Sequence, residues 1–201
     1  MNLMTSLTML ADILHRIEQE HEQEPVWIVG RSTGRMLHWL LRVVQPEVVL
    51  EIGTSVGYSG LWMADALEAN GKGHLVTIES HKERYARAQD NFANSGLVHR
   101  ISSLKGHAPE ILRNPLQFGY APDAIPAHID VAFFDATKNQ HGDLLESVLP
   151  LMSTGGMIVV DNVISHKEDG LESFLEDIHA RPGIELVEIP VGQGLLIARI
   201  L

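Results

Sequence analysis

The chain has 201 residues, 45% hydrophobic and 20% charged, a composition that suits one globular domain with a sizeable core. It has no cysteine, which excludes disulfide frameworks, thiolate zinc sites and cysteine nucleophiles, and its formal net charge of −11 opposes binding to a polyphosphate. No apolar run approaches the roughly 20 residues that cross a bilayer, and the N-terminus lacks the basic start of a secretory signal, so we expect a cytoplasmic protein without a membrane partner.

Two amphipathic helices are predicted ahead of residue 46. Apolar residues recur at helical spacing from Met4 to Ile17, and a second helix, GRMLHWLLRVV, stops before Pro46. Trp39 falls on the apolar face of the second helix, so we expect it in the core. Trp27 precedes that helix in a loop and is the better candidate for lining a binding pocket.

Short apolar runs alternate with helical patterns from residue 46 to the last residue. The predicted strands are VVLEI, HLVTIE, ISSLKG, IDVAFFD, MIVVD, IELVEIP and LLIARIL. Such alternation predicts an α/β fold, a parallel sheet with helices on both faces. Only VGQG separates the last two strands, which is too short for a crossover, so these strands must form an antiparallel hairpin.

The segment VVLEIGTSVGYSG reads as a strand, a glycine loop and the start of a helix. Gly53 and Gly57 allow the backbone to approach a ligand closely, but three residues separate them, whereas the NAD fingerprint has one. Glu51, at the strand end, would repel a pyrophosphate and attract a cationic ligand. S-adenosylmethionine, which carries a sulfonium and an ammonium group, fits this loop.

The next strand ends in Glu79, where an acid can accept hydrogen bonds from the two hydroxyls of a ribose. NAD enzymes also place an acid at this point, so Glu79 alone does not distinguish the two cofactors. The alternative is a strand–turn–helix whose glycines are only structural.

Three oxygen-bearing side chains follow the ends of two later strands. Asp135 ends IDVAFFD, with Lys138 three residues on, and Asp161 ends MIVVD, with Asn162 directly after it. If these strands are neighbours, two carboxylates and an amide meet at the same edge of the sheet, a ligand set suited to Mg²⁺ and also open to Mn²⁺ or Ca²⁺. Alternatively, each aspartate caps a following helix.

A divalent cation beside a methyl donor suggests methyl transfer to an oxygen. The cation lowers the pKa of an acceptor hydroxyl and fixes its position. Lys138, with its own pKa lowered by the cation and by partial burial, is then the candidate general base.

These motifs resemble those of the metal-dependent O-methyltransferases of the catechol and caffeoyl-CoA type. The resemblance runs from about Trp27 to the C-terminus and is carried by LEIGTSVGYS, TIE, FFDATK and VVDNV, in that order. It implies one S-adenosylmethionine-dependent methyltransferase domain over residues 1–201, with N-terminal helices in 1–45 and a Rossmann-like core in 46–201. The implied sheet has seven mostly parallel strands and ends in an antiparallel hairpin, with helices on both faces.

The resemblance also implies roles for individual residues and a homodimeric assembly. Glu79 would hold the ribose, Ala108 would lie beside the adenine, and Val29 would belong to the segment that covers the cofactor. The implied cofactor residues are Val29, Glu51, Gly53, Ser55, Tyr58, Ser59, Glu79, Ala108 and Asp135. The implied metal ligands are Asp135, Asp161 and Asn162, and the implied catalytic base is Lys138.

The acceptor is expected to be a catechol-like or other oxygen-chelating small molecule. Catechol enzymes have a histidine and a tryptophan where this chain has Ala136 and Thr137, and a glutamate where it has Leu196. The alternative is a hydroxylated uridine in tRNA, which would require a basic surface around the site. A nucleotide-dependent oxidoreductase would need tighter glycine spacing, and a binding module without catalysis would be expected to lack Lys138 or a metal ligand.

Overall fold

The computed structural model describes residues 3–24, 26–165 and 171–201. Within these ranges the helices are α1 (Leu3–Gln23), α2 (Arg31–Val44), α3 (Tyr58–Asn70), α4 (Lys82–Ser95), α5 (Ala108–Arg113), α6 (His141–Val148) and α7 (Glu172–Ala180). The strands are β1 (Val48–Ile52), β2 (His74–Glu79), β3 (Ile101–Lys105), β4 (Ile129–Phe134), β5 (Met152–Asp161), β6 (Ile184–Ile189) and β7 (Leu195–Ile200). None of the described helices is both long and apolar enough to span a membrane.

The strands form one seven-stranded sheet in the order β3-β2-β1-β4-β5-β7-β6. Strands β1 to β5 pair in parallel, whereas β7 is antiparallel to both β5 and β6. The predicted mostly parallel sheet with a final antiparallel hairpin is therefore confirmed. Strand order reverses between β1 and β4, and in open sheets of this kind ligands bind beyond the carboxyl ends of the strands at such a point.

Both faces of the sheet are covered by helices, as predicted. Side chains alternate between the faces along each strand, so that Val49 packs into one hydrophobic cluster and Leu50 into the other. The first cluster contains residues of α1 to α4, and the second contains residues of α5 to α7. Burial on both sides explains why the central strands are nearly continuous apolar runs.

Strand β5 begins earlier than the sequence predicts. It starts at Met152, opposite Ile129, but Met157 already lies opposite Val131, so the strand contains extra residues at this point. The glycine pair at 155–156 therefore lies in an irregular part of the strand and does not precede it. Glycine tolerates such a distortion, because Gly155 has φ 80°.

The prediction that Trp39 is a core residue is wrong. The buried face of α2 consists of Thr33, Gly34, Leu37, Leu40 and Leu41. Trp39 lies on the other side of the helix and is 58% exposed, with Val43 one turn further on and 60% exposed. The helix packs against α3 so closely that a Cβ at position 34 would overlap the ring of Trp62, and this contact fixes which face is turned inward.

Candidate active site

A cavity of about 650 Å³ opens at the carboxyl ends of the central strands, beside the point where strand order reverses. The predicted site residues that line it are Gly53, Ser55, Glu79, Ala108, Asp135, Asp161 and Asn162. They lie at the carboxyl ends of β1, β2, β4 and β5, in the last residue of the strand or in the loop directly after it, and at the start of α5. The fold thus brings the predicted cofactor loop and the predicted metal ligands to one cavity.

The glycine loop after β1 approaches the end of β4 very closely. Gly53 has φ 103°, and a Cβ at this position would collide with the main-chain carbonyl of Asp135. The Asp135 main-chain N–H donates to the Ile52 carbonyl at 2.9 Å, which extends the pairing of the two strands to this point. Glycine is required here by both its backbone angle and the lack of space.

Glu79 joins the loops after β1 and β2. Its carboxylate accepts main-chain hydrogen bonds from Ser55 and from His81, each at 2.7 Å, and the residue is only 5% exposed. Each carboxylate oxygen has a second lone pair, so Glu79 can still accept bonds from a ligand hydroxyl. The buried Ser55 hydroxyl has no hydrogen-bond partner among the described residues and is available to a ligand in the same cavity.

Glu51 lies beneath the cavity and does not line it. Its carboxylate is fully buried and accepts hydrogen bonds from the hydroxyls of Ser59, at 2.5 Å, and Thr77, at 2.6 Å. Burial raises the pKa of this carboxyl to about 7, although the two hydroxyl donors act in the opposite direction. The charges of Asp135 and Glu79 raise the pKa further.

Tyr58 and Val29 also lie behind the cavity wall. Tyr58 is buried at the first turn of α3, and its hydroxyl donates to Glu18 of α1 at 2.5 Å. Burial, followed by this bond to a carboxylate, raises the pKa of Tyr58 to about 12. The same carboxylate accepts two bonds from Arg31, at 3.0 and 2.8 Å, while Val29 packs in the core. Tyr58 therefore ties the start of α3, directly after the glycine loop, to α1.

The predicted metal ligands line the part of the cavity where β4 and β5 end, which we call the cation end. Asp161 is 2% exposed, and Asn162 follows it with a left-handed φ of 67°. Asn162 Nδ2 donates to Asp161 Oδ2 at 3.3 Å and to Gln193 Oε1 at 3.1 Å. The described residues contain no group of three His, Cys, Asp or Glu that could hold a metal. A cation here would therefore rest on the two carboxylates of Asp135 and Asp161 and on the Asn162 amide oxygen, donors that suit Mg²⁺.

Neither aspartate immediately precedes α6 or α7, whose N-cap residues are Gln140 and Leu171. The helix-capping alternative for these acids therefore does not hold for those two helices. The main chain of Lys138 begins a 3-10 turn that runs to Gln140 and leads into α6. Its side chain, the predicted catalytic base, lies outside what the structure describes.

The chain matches the model of one protein family, described as O-methyltransferase, over residues 5–201. It is 35% identical over 161 residues to a catechol O-methyltransferase of Niastella koreensis, an alignment that covers 80% of this chain and 67% of that protein. The chain belongs to the O-methyltransferase family. It is also 26% identical over 183 residues to a caffeoyl-CoA O-methyltransferase of Mesembryanthemum crystallinum, covering 83% of this chain and 70% of that protein. The predicted family resemblance is thus confirmed.

Solved structures of O-methyltransferases share the fold. An O-methyltransferase from Bacillus cereus in complex with SAH superimposes with a TM-score of 0.80 at 26% identity, over 94% of this chain and 91% of that one. TomG from Streptomyces achromogenes, an O-methyltransferase involved in tomaymycin synthesis and solved with SAM, gives 0.77 at 29% identity, over 94% and 89%. These neighbours confirm the predicted Rossmann-like methyltransferase fold.

Several residues around the cavity of this O-methyltransferase were not among the predicted site residues. They are Ile28, Ile52, Ile78, Ser80, Arg84, Gly106, His107, Gln140 and Gln193. Gln193 lies in VGQG, which the sequence shows only as a hairpin turn. Because Leu195 of β7 pairs with Asp161 of β5, the turn before β7 must lie beside the loop after β5. Antiparallel pairing of β7 with β5 is therefore the signal that would have located Gln193. Trp27, a pocket candidate from the sequence, does line the cavity and is 71% exposed.

Proposed function

We propose that this O-methyltransferase transfers a methyl group from S-adenosylmethionine to a hydroxyl of a catechol-like or other oxygen-chelating small molecule, with Mg²⁺, Mn²⁺ or Ca²⁺ at the acceptor. The observation that carries the proposal is a single cavity lined both by the glycine loop with Glu79 and by Asp135, Asp161 and Asn162. A methyl donor and a chelated acceptor would there be held side by side, and positioning contributes much of the rate in such reactions.

Charge and hydrogen-bonding groups support S-adenosylmethionine as the ligand of the glycine-loop end. The cavity wall carries Glu79, Asp135 and Asp161 against one described cation, Arg84, which favours a ligand with positive charge. Glu79 would accept bonds from the ribose hydroxyls, and the Ser55 hydroxyl, which has no partner among the described residues, would bond the ligand as well. Ala108, at the start of α5, lines the same cavity, and its small side chain would lie beside the adenine.

The cation end of the cavity would supply acid–base chemistry to the acceptor. A bound divalent cation lowers the pKa of a coordinated hydroxyl, so that the oxygen becomes a good methyl acceptor near neutral pH. Asp135, Asp161 and Asn162 are the residues that would hold it. Lys138, whose main chain lies in the turn between β4 and α6, remains the proposed base that takes the hydroxyl proton.

The exposed Trp27 ring offers a flat apolar surface at the cavity, which supports a planar aromatic acceptor. The small side chains of Ala136 and Thr137 line the same cavity and leave space beside the metal ligands. The tRNA alternative is not favoured. The net charge is −11, and two of the arginines that could form a basic rim are already engaged, Arg31 by Glu18 and Arg42 by Asn70.

We also propose that the protein forms a homodimer. Trp39 and Val43 expose a large apolar area on α2, at 58% and 60% exposure, as subunit contacts often do. Analytical ultracentrifugation of the wild type and of Trp39→Glu would test this: a dimer in the first and a monomer in the second is the expected result. A monomeric wild type would contradict it.

The proposed reaction is tested by calorimetric titration with S-adenosylmethionine, followed by methyl-transfer assays on a panel of catechols and hydroxylated nucleosides, with Mg²⁺ or with EDTA. We expect turnover of a diol that EDTA abolishes and that Lys138→Ala reduces by about 100-fold or more. Lys105→Ala, on β3, is the matched control. Cofactor binding with nucleoside turnover only would favour tRNA, and no cofactor binding would refute the proposal.

A further inference from the structure

The turn between β6 and β7 is fastened to the loop that follows β5. The Gln193 carbonyl accepts main-chain hydrogen bonds from Ile164 and Ser165, each at 3.1 Å, and the Gly194 carbonyl accepts one from Val163 at 3.1 Å. The Gln193 side chain adds two more bonds to the same loop, because Oε1 accepts from Asn162 Nδ2 and from the Ser165 hydroxyl at 2.8 Å. One residue of the hairpin thus holds this loop through both its main chain and its side chain.

The chemistry of the partners fixes how these two amides are oriented. An ionised carboxylate only accepts hydrogen bonds, so the Asn162 atom that faces Asp161 Oδ2 must be its nitrogen. The same nitrogen faces Gln193 at 3.1 Å, so the Gln193 atom at that contact must be its oxygen. The Asn162 amide oxygen is consequently turned away from both partners.

We propose that Gln193 is a positioning residue, which holds the Asn162 side chain so that its amide oxygen is presented to the cation. This inference rests on the proposed metal dependence. Without the Gln193 acceptor, the Asn162 amide would lose the 3.1 Å bond that fixes the direction of its nitrogen. A metal ligand is generally held by such an outer partner, and loss of the partner typically weakens metal affinity by about 10- to 100-fold.

The test is a titration of the protein with Mn²⁺ alone, in which electron paramagnetic resonance measures the free ion without cofactor or acceptor. We expect Gln193→Leu, of similar volume but without an acceptor oxygen, to bind Mn²⁺ about tenfold more weakly than the wild type. Gln193→Glu keeps an acceptor oxygen and should bind at least as well as the wild type. Gln89→Leu, the same change on α4 at a residue that bonds Ser103, should change nothing.

Two further measurements separate a positioning role from a purely structural one. Affinity for S-adenosylmethionine without metal, and the melting temperature without metal, should stay within about twofold and a few degrees of the wild type in Gln193→Leu. Gln193→Ala is titrated as well and gives the same answer if the leucine variant does not fold.

Equal Mn²⁺ affinity in the wild type, Gln193→Leu and Gln193→Ala would overturn the inference while leaving the proposed function intact. A wild type that binds no Mn²⁺ would overturn both. If Mn²⁺ binding is lost in Asp161→Asn but unchanged in Gln193→Leu, the metal site is supported and the positioning role of Gln193 is refuted.

Discussion

The two ends of the cavity are built in opposite ways. Beneath the glycine loop, the polar groups are buried and satisfied within the protein: Glu51 is fully buried, and Thr77, which donates to it, also contacts Thr54 at 2.5 Å. At the cation end, Asn162 and Gln193 lie nearer the surface and are joined by a contact between segments 31 residues apart. The first end is held by fully buried contacts among β1, β2 and α3, whereas the second depends on the exposed turn of the final hairpin.

This difference predicts which changes will harm only one step of the reaction. Substitutions at the glycine-loop end should affect the cofactor or the stability of the fold. Substitutions at the cation end should affect metal and acceptor and leave cofactor binding intact.

The largest effect is expected from Asp161→Asn. This nearly isosteric change removes a charge from a side chain that is 2% exposed at the cation end, so we expect Mn²⁺ affinity to fall by about 100-fold or more and metal-dependent turnover with it. Cofactor affinity should change little. Asp12→Asn, on the exposed part of α1, is the control. Equal losses of metal and cofactor binding would contradict the separation of the two ends.

A smaller effect, on the cofactor alone, is expected from Glu79→Gln. The amide nitrogen cannot accept a hydrogen bond, so one of the main-chain donors at Ser55 and His81 loses its partner, and so does a ribose hydroxyl. Calorimetry should show S-adenosylmethionine affinity reduced by about tenfold, with Mn²⁺ affinity unchanged. Cofactor affinity equal to that of the wild type would exclude Glu79 as the ribose ligand.

Glu51→Gln should change how stability depends on pH. The carboxyl has a pKa of about 7 when folded and an ordinary value of 4.5, so the folded chain holds a proton that the unfolded chain has lost between these pH values. The free energy of unfolding of the wild type should therefore fall as pH rises from about 4.5 to 7 and stay constant above that range. The total fall should be on the order of 3 kcal/mol.

In Glu51→Gln this part of the pH dependence should be missing. The free energy of unfolding of the variant should therefore increase relative to that of the wild type as pH rises. Urea unfolding at several pH values, with Glu83→Gln on the exposed start of α4 as control, would measure it. Parallel curves for the two variants would show that the pKa of Glu51 is the same in the folded and the unfolded chain.

The smallest effect on the site is expected from Tyr58→Phe. The change removes a hydroxyl that points to Glu18 of α1 and not into the cavity, so cofactor affinity should stay within about twofold, while the free energy of unfolding falls by about 1 to 2 kcal/mol. Thermal unfolding and calorimetry on the same sample measure both. A large loss of cofactor affinity would place Tyr58 in contact with the ligand after all.

Most of the fold follows from the sequence, because its signals are local. Alternating apolar runs and helical patterns indicate the parallel sheet, and the short VGQG turn requires the final hairpin. The positions of Asp135 and Asp161 are predicted from equally local signals, since each follows an apolar run that reads as a strand. The start of β5 escaped prediction because the irregular pairing near Gly155 has no marker beyond the glycines themselves.

The directions of individual side chains depend on packing and were harder to foresee. Glu51 shares the sheet face of Val49, by the alternation of a strand, and is therefore turned beneath α3 and not into the cavity. Trp39 was misplaced because the α2–α3 contact through Gly34 and Trp62 decides which apolar side of the helix is buried. To predict the direction of either side chain, one must know which helix packs against which face of the sheet or of the neighbouring helix.

The position of β7 bears on the order in which the chain can fold. In the sheet of the described residues, β6 pairs with β7 alone, and β7 enters between β6 and β5. While the chain leaves the ribosome, β6 therefore has no edge to join until the strand made after it arrives, whereas the glycine loop and Glu79 come from strands made much earlier. The cavity should then gain its cofactor end before its metal end during synthesis, and Gln193 would reach Asn162 as one of the last contacts to form.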